Sequence, residues 1–251
     1  MKCYNNFIHK INIVKEDTVY NKELCPYFWG NDMILNQRVR NKLLNIANDF
    51  ISGIDTINKS NIKDIILTGS LTNYNWTDLS DFDLHIKIDY KDFSDSKETL
   101  VELFNMAKVI WNNKHDIKFK GFPVEIYIQD VNVSMLTEYS LMDDAWLKKP
   151  VYNEPKIDEH FVNKKVDDYV RIIDFYERTS KENISNIDAE QLYNKIKQIK
   201  KNISLKRAEG IKKSKSEFNE YNLIFKKLRN LGYIEKIVNL VSIFYDASFS
   251  E

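Results

Sequence analysis

Two short apolar runs, DIILTGS at 64–70 and FDLHIKID at 82–89, constrain this chain more than anything else in it. The first reads as a buried strand that ends in a tight Gly turn, and the second as a strand with strong apolar–polar alternation. Side chains alternate faces along a strand, so Asp81 and Asp83 share one face while Phe82 and Leu84 take the other. Two carboxylates side by side repel each other, and such a pair is expected to want a compensating cation.

The surrounding pattern supplies a frame for that pair. From Asn36 the apolar positions Val39, Leu43, Ile46, Phe50 and Ile54 recur every three or four residues, which predicts a helix. A second helix follows the second strand, with Leu100, Leu103, Phe104, Ala107 and Trp111 on one face. FPVEIYIQ at 122–129 is expected to be a third strand, with Pro123 near its start, and EYSLM at 138–142 a fourth. After Pro150 and Pro155 the texture becomes helical throughout. Val162, Val166, Tyr169, Ile173 and Tyr176 mark one helix, and a lysine-rich helix spans about 188–209. Phe218 to Leu231 marks another that stops at Gly232, and Ile234 to Phe244 a last one. The fold class expected is α+β: an αβαββ domain over 1–150 followed by an all-helical subdomain over 151–251.

Composition narrows the function classes. Lys plus Arg and Asp plus Glu both number 37, so overall charge points to no partner and electrostatic arguments must be local. Six Gly and four Pro leave no room for long flexible linkers. Cys3 and Cys25 are too few for a disulfide framework or a zinc site and fit a reducing cytoplasm. No apolar run reaches the roughly 18 residues that span a bilayer. The first residues, MKCYNNFIHKINIVKED, are too polar for a signal peptide, so a cytoplasmic protein with no membrane partner is expected.

LTGS, then ten residues, then Asp81-Phe82-Asp83 with Ser80 directly before, then Glu125 within FPVEIYI, together resemble the nucleotidyltransferase superfamily, the group that includes DNA polymerase beta-like enzymes. The likeness covers residues 62–129; the texture near the end, EFNEYNLIFKKLRNLGY, is also similar to uncharacterised phage members. It implies a small mixed sheet with flanking helices and a Mg²⁺-dependent transfer of NMP, AMP first, from an NTP to an acceptor. Two Mg²⁺ ions would be held by Asp81, Asp83 and Glu125, which are the implied catalytic residues. Glu125 would complete the ion that activates the nucleophile. Gly69 and Ser70 would bind the β- and γ-phosphates through backbone N–H groups and the Ser70 hydroxyl.

Neighbouring residues have bland readings beside functional ones. His85 continues the Asp81/Asp83 face, where a solvent-facing histidine is the ordinary reading and contact with triphosphate or acceptor the functional one. Glu125 has the corresponding alternative of an outward-facing strand residue. Asp78 is expected to be a solvated loop acid and Trp76 a packing residue, and Asn73, Tyr74 and Asn75 stand where many relatives carry another Gly. Between Lys195 and Lys215 lie nine basic residues against the single acid Glu209. They read as a solvated helical surface, or as contacts to an RNA acceptor. The acceptor class stays open among RNA, protein and small molecule. The alternatives to an enzyme are a non-catalytic nucleotide-sensing or protein-binding module, and the antitoxin of a toxin–antitoxin pair.

Overall fold

The two apolar runs produce the central antiparallel pair of a six-stranded mixed sheet. The structure is a computed structural model that describes residues 20–154, 156–181 and 186–250. Strands β1 (Ile62–Thr68) and β2 (Phe82–Ile88) pair antiparallel, with Thr68 opposite Asp83. Helix α1 (Gln37–Ser52) precedes them and α2 (Lys97–Lys114) follows. The chain then forms β3 (Lys118–Phe119), β4 (Phe122–Asp130), β5 (Glu138–Ser140) and β6 (Ala145–Lys148), and the sheet order is β3-β4-β2-β1-β5-β6. β2 and β4 run parallel, and the other pairs are antiparallel.

One face of this sheet is the core. Phe82, Leu84, Ile86 and Ile88 from β2 join Phe122 and Ile126 from β4, all buried, and pack with Val39, Leu43, Ala47 and Phe50 of α1 and Leu100 and Phe104 of α2. Each fully buried side chain of this size stabilises the fold by roughly 1.5–3 kcal/mol. Caps fix the helix starts: Asn36 accepts from the Arg38 N–H, and Ser96 from the Thr99 N–H. The expected apolar face of α2 needs a correction at Leu103, which is exposed. The Leu100–Phe104 row at i,i+4 turns inward, and Leu103 lies to one side of it.

The other face carries polar groups, buried at His85, Lys87 and Gln129 and half-buried at Asp83, Glu125 and Tyr127. Asp83, His85 and Lys87 on β2 stand beside Glu125, Tyr127 and Gln129 on β4. His85 is only 7% exposed, so the expectation of a solvent-facing histidine is overturned. The physical reason is pairing. His85 Nδ1 lies 2.6 Å from Gln129 Oε1, and Lys87 Nζ lies 2.9 Å from Glu138 Oε2. The segment after β4 adds Val133 O, which accepts from Gln129 Nε2, and the Met135 N–H, which donates to Glu138 Oε1. Buried polar groups are tolerated when they find such partners.

Two strands escape the sequence pattern. β3 is only two residues long and is joined to β4 by Lys120 and Gly121, both at positive φ (50° and 91°). That is the backbone of a type I′ hairpin turn. β6 is a four-residue strand paired with β5. β5 itself ends at Ser140, two residues short of the expected run.

The described chain divides into two compact units that part between Asn153 and Glu154, against the expected boundary at 150. Cys25 is a buried free thiol; Cys3 lies outside the described residues. The second unit contains α3 (Glu159–Thr179), α4 (Asn186–Ser214), α5 (Glu220–Asn230) and α6 (Tyr233–Phe249). Gly232, at φ 80°, separates α5 from α6 in the left-handed conformation expected of a residue just past a helix end. Lys236 of α6 bridges Asp174 and Glu177 of α3 at 3.0 and 2.7 Å. Of the nine basic residues between 195 and 215, Arg207 alone is not exposed; it donates to Asn222 Oδ1 at 2.8 Å and stacks over Phe225. Among the described residues, no helix is long and apolar enough to cross a membrane.

Candidate functional site

β1 ends at Thr68, and the chain turns at Gly69 with φ 81° and ψ −161°, a conformation that side-chain-bearing residues rarely adopt. The close neighbour is Asp83. A Cβ on residue 69 would lie 1.9 Å from Asp83 Oδ2, so glycine is required here both by backbone conformation and by space.

The turn is clamped from several sides. Thr72 Oγ1 donates to Gly69 O at 2.8 Å and lies 2.6 Å from Thr137 Oγ1. Thr68 Oγ1 donates to Thr137 O at 2.7 Å, and Trp29 Nε1 to Leu71 O at 2.7 Å. Ser70 is buried, and its hydroxyl donates to Ser80 Oγ at 2.9 Å; Ser80 Oγ also accepts from the Thr77 N–H. Ser80, read in the sequence only as a companion of Asp81, thus ties the turn to the start of β2. The Ser70 proton is committed to Ser80 in this arrangement.

The three acids expected to act together are brought together. Asp81 immediately precedes β2, Asp83 is its second residue, and Glu125 faces Asp83 across the parallel β2–β4 ladder. Each is half-buried, and one ligand oxygen from each lies within 4.8 Å of the others. A donor set made only of carboxylate oxygens suits a hard divalent cation such as Mg²⁺ or Mn²⁺ and offers nothing to a metal that wants nitrogen or sulfur.

Two residues that the sequence reading missed complete the surroundings. Tyr127 donates its hydroxyl to Glu125 Oε2 at 2.5 Å. Burial, and then the carboxylates of Asp83 and Glu125, push the Tyr127 phenol well above its ordinary range, so it remains a donor. The His85 ring stacks on Tyr127 with centroids 4.6 Å apart. Burial pulls His85 down to about 4, which keeps the imidazole neutral near pH 7 with Nδ1 donating to Gln129. Lys108 of α2 sets its ammonium 3.8 Å from the centre of the Tyr127 ring. Burial lowers the Lys108 pKa, while Glu125 and Asp83 act in the opposite direction.

Alternation could have found Tyr127, which follows Glu125 by two residues on the same strand face. Nothing local could have found Lys108, which arrives from a helix. Asp78 is exposed, and Trp76 is half-buried with its Nε1 donating to Glu23 O at 2.9 Å, as a loop acid and a packing residue should be.

No protein family, no curated protein and no solved structure matches the chain.

Proposed function

We propose that this protein is a Mg²⁺-dependent nucleotidyltransferase that moves NMP, AMP first, from an NTP to an acceptor. The observation that carries the reading is the meeting of Asp81, Asp83 and Glu125 beside a positive-φ glycine turn that packs directly against Asp83. An antiparallel β1–β2 pair carrying the aspartates, with the parallel β4 supplying the third acid, supports the same assignment to a nucleotidyltransferase-like fold.

Two divalent cations, when bound, would neutralise charge developing on the entering and leaving oxygens. Asp81 and Asp83 would hold both ions, with Glu125 completing the one on the nucleophile side. The Gly69–Ser70 turn would receive the β- and γ-phosphates through its backbone N–H groups. An acceptor oxygen forms a bond to the α-phosphorus, the bond from the α-phosphorus to the bridging oxygen breaks, and pyrophosphate leaves with that electron pair. The acceptor proton passes to Glu125 or to water. Tyr127 fixes one Glu125 oxygen and leaves the other for this work.

The test supplies four α-labelled ribonucleotides with Mg²⁺ and separate RNA, protein and small-molecule extracts, comparing wild type with Asp83→Asn. Label entering one fraction, and lost in the variant, supports the reading and names the acceptor class. Nucleotide binding without transfer to any fraction would favour a nucleotide-sensing module instead.

A further inference from the structure

Lys108 stands beside the carboxylates as a half-buried cation with no hydrogen-bond acceptor among the described residues. β4 is covered on its outer edge by β3 only at Phe122 and Pro123. Beyond them α2 closes the edge: Asn112 Oδ1 accepts from the Ile126 N–H at 3.2 Å, and Asn112 Nδ2 donates to Ile126 O at 3.4 Å. Lys108 lies one helical turn before Asn112 and reaches to the polar side of the sheet, where its ammonium rests over the Tyr127 ring. Among the described residues, that ammonium makes no hydrogen bond and no ion pair. An ammonium has three N–H donors; the Tyr127 ring and the longer-range pull of the Glu125 and Asp83 carboxylates hold it in place and leave those donors open to an anion.

Its place in the sheet decides which anion. Thr68, Asp83 and Glu125 form one row across β1, β2 and β4, with the Gly69 turn at the β1 end. Lys108 enters from beyond the β4 end. With strands about 4.8 Å apart, the turn and that edge are about 10 Å apart. In an in-line displacement the nucleophile and the leaving pyrophosphate lie on opposite sides of the α-phosphorus. If pyrophosphate sits at the glycine turn, Lys108 is on the side from which the acceptor attacks.

We propose that Lys108 binds an anionic oxygen of the acceptor, so that the acceptor carries a phosphate or carboxylate close to its attacking hydroxyl. This rests on the nucleotidyltransferase reading. Lys108 takes no proton and no bond in the step; it places the acceptor hydroxyl beside Glu125.

The test uses the full chain in Mn²⁺ and follows acylation of individual lysines by an amine-reactive ester, read by mass spectrometry. Inorganic phosphate is expected to slow acylation of Lys108 at least fivefold and to leave exposed Lys149 unchanged. In the transfer assay, Lys108→Met is expected to raise KM for the accepting fraction at least tenfold and to keep KM for ATP within twofold, with Lys108→Arg recovering most of the loss. Label entering RNA identifies the anion as a nucleic-acid phosphate, and label entering a small acidic compound identifies a free one. Lys108 acylated equally with and without phosphate, an acceptor KM unchanged in Lys108→Met, or label entering neutral compounds alone would each overturn the anion site. A wild-type protein that transfers no label sinks the transfer reading and the acceptor assignment together, and is told apart because phosphate still protects Lys108.

Discussion

Gly69 and Asp83 are so close that a Cβ on residue 69 would meet Asp83 Oδ2 at 1.9 Å. The end of β1 is therefore shaped around a carboxylate on β2, and turn and acid form one unit. Gly69→Ala must both shift Asp83 and adopt a backbone conformation that costs about 1–3 kcal/mol by itself. Urea unfolding is expected to show a loss at least that large, with divalent-metal binding impaired as well. An alanine variant as stable as wild type would contradict the coupling.

Asp81→Asn and Asp83→Asn each remove one of three negative charges held within 4.8 Å of one another. Without metal, either variant is expected to be as stable as wild type or slightly more so, because like-charge repulsion is relieved. Mn²⁺ binding by calorimetry is expected to fall at least tenfold in both. Unchanged Mn²⁺ affinity in either variant would remove that residue from the metal site.

The buried pair Lys87–Glu138 ties β2 to β5 with 2.9 Å between its charged atoms. Glu138→Ala leaves a buried ammonium uncompensated and is expected to cost about 3–5 kcal/mol in urea unfolding. Replacing both partners, Lys87→Met with Glu138→Leu, is expected to recover most of that loss. A double variant as unstable as the single one would mean that the pair does more than neutralise itself.

Cys25 has no solvent exposure, and burial raises its thiol to about 11 from an ordinary value of 9.0. The unfolded thiol ionises near pH 9 and the folded one near 11, so the unfolded state sheds its proton first. Stability from this group is complete below pH 9 and is lost as pH rises to 11, by about 3 kcal/mol in all. Comparing the pH dependence of unfolding in wild type and Cys25→Ala should show a steeper loss in wild type between pH 9 and 11. Equal slopes would mean that the Cys25 thiol ionises alike in both states.

What could be read before folding was whatever a strand or helix writes in its own period. Asp81 and Asp83 share a face because β2 alternates, and Gly232 ends a helix because its apolar pattern stops there. Glu125 was legible as a strand residue, but its place opposite Asp83 depends on the parallel register of β4, which no local pattern encodes. His85 looked solvent-facing because alternation gives a face and not its covering; Gln129, Tyr127 and the segment after β4 supply the covering. β3 was invisible because two residues show no period, and Lys120-Gly121 is not one of the Asn-Gly or Asp-Gly pairs that announce a hairpin turn. Lys108 reaches the acids from another element, and that meeting exists only in three dimensions.

Parallel incubations with α-labelled and γ-labelled ATP, using the RNA, protein and small-molecule fractions with Mg²⁺, test nucleotidyl transfer itself. α-Label is expected to enter one fraction and γ-label to be released as pyrophosphate, with Asp83→Asn abolishing both. Incorporation of γ-label, or α-label transfer that survives in Asp83→Asn, would contradict nucleotidyl transfer at this site.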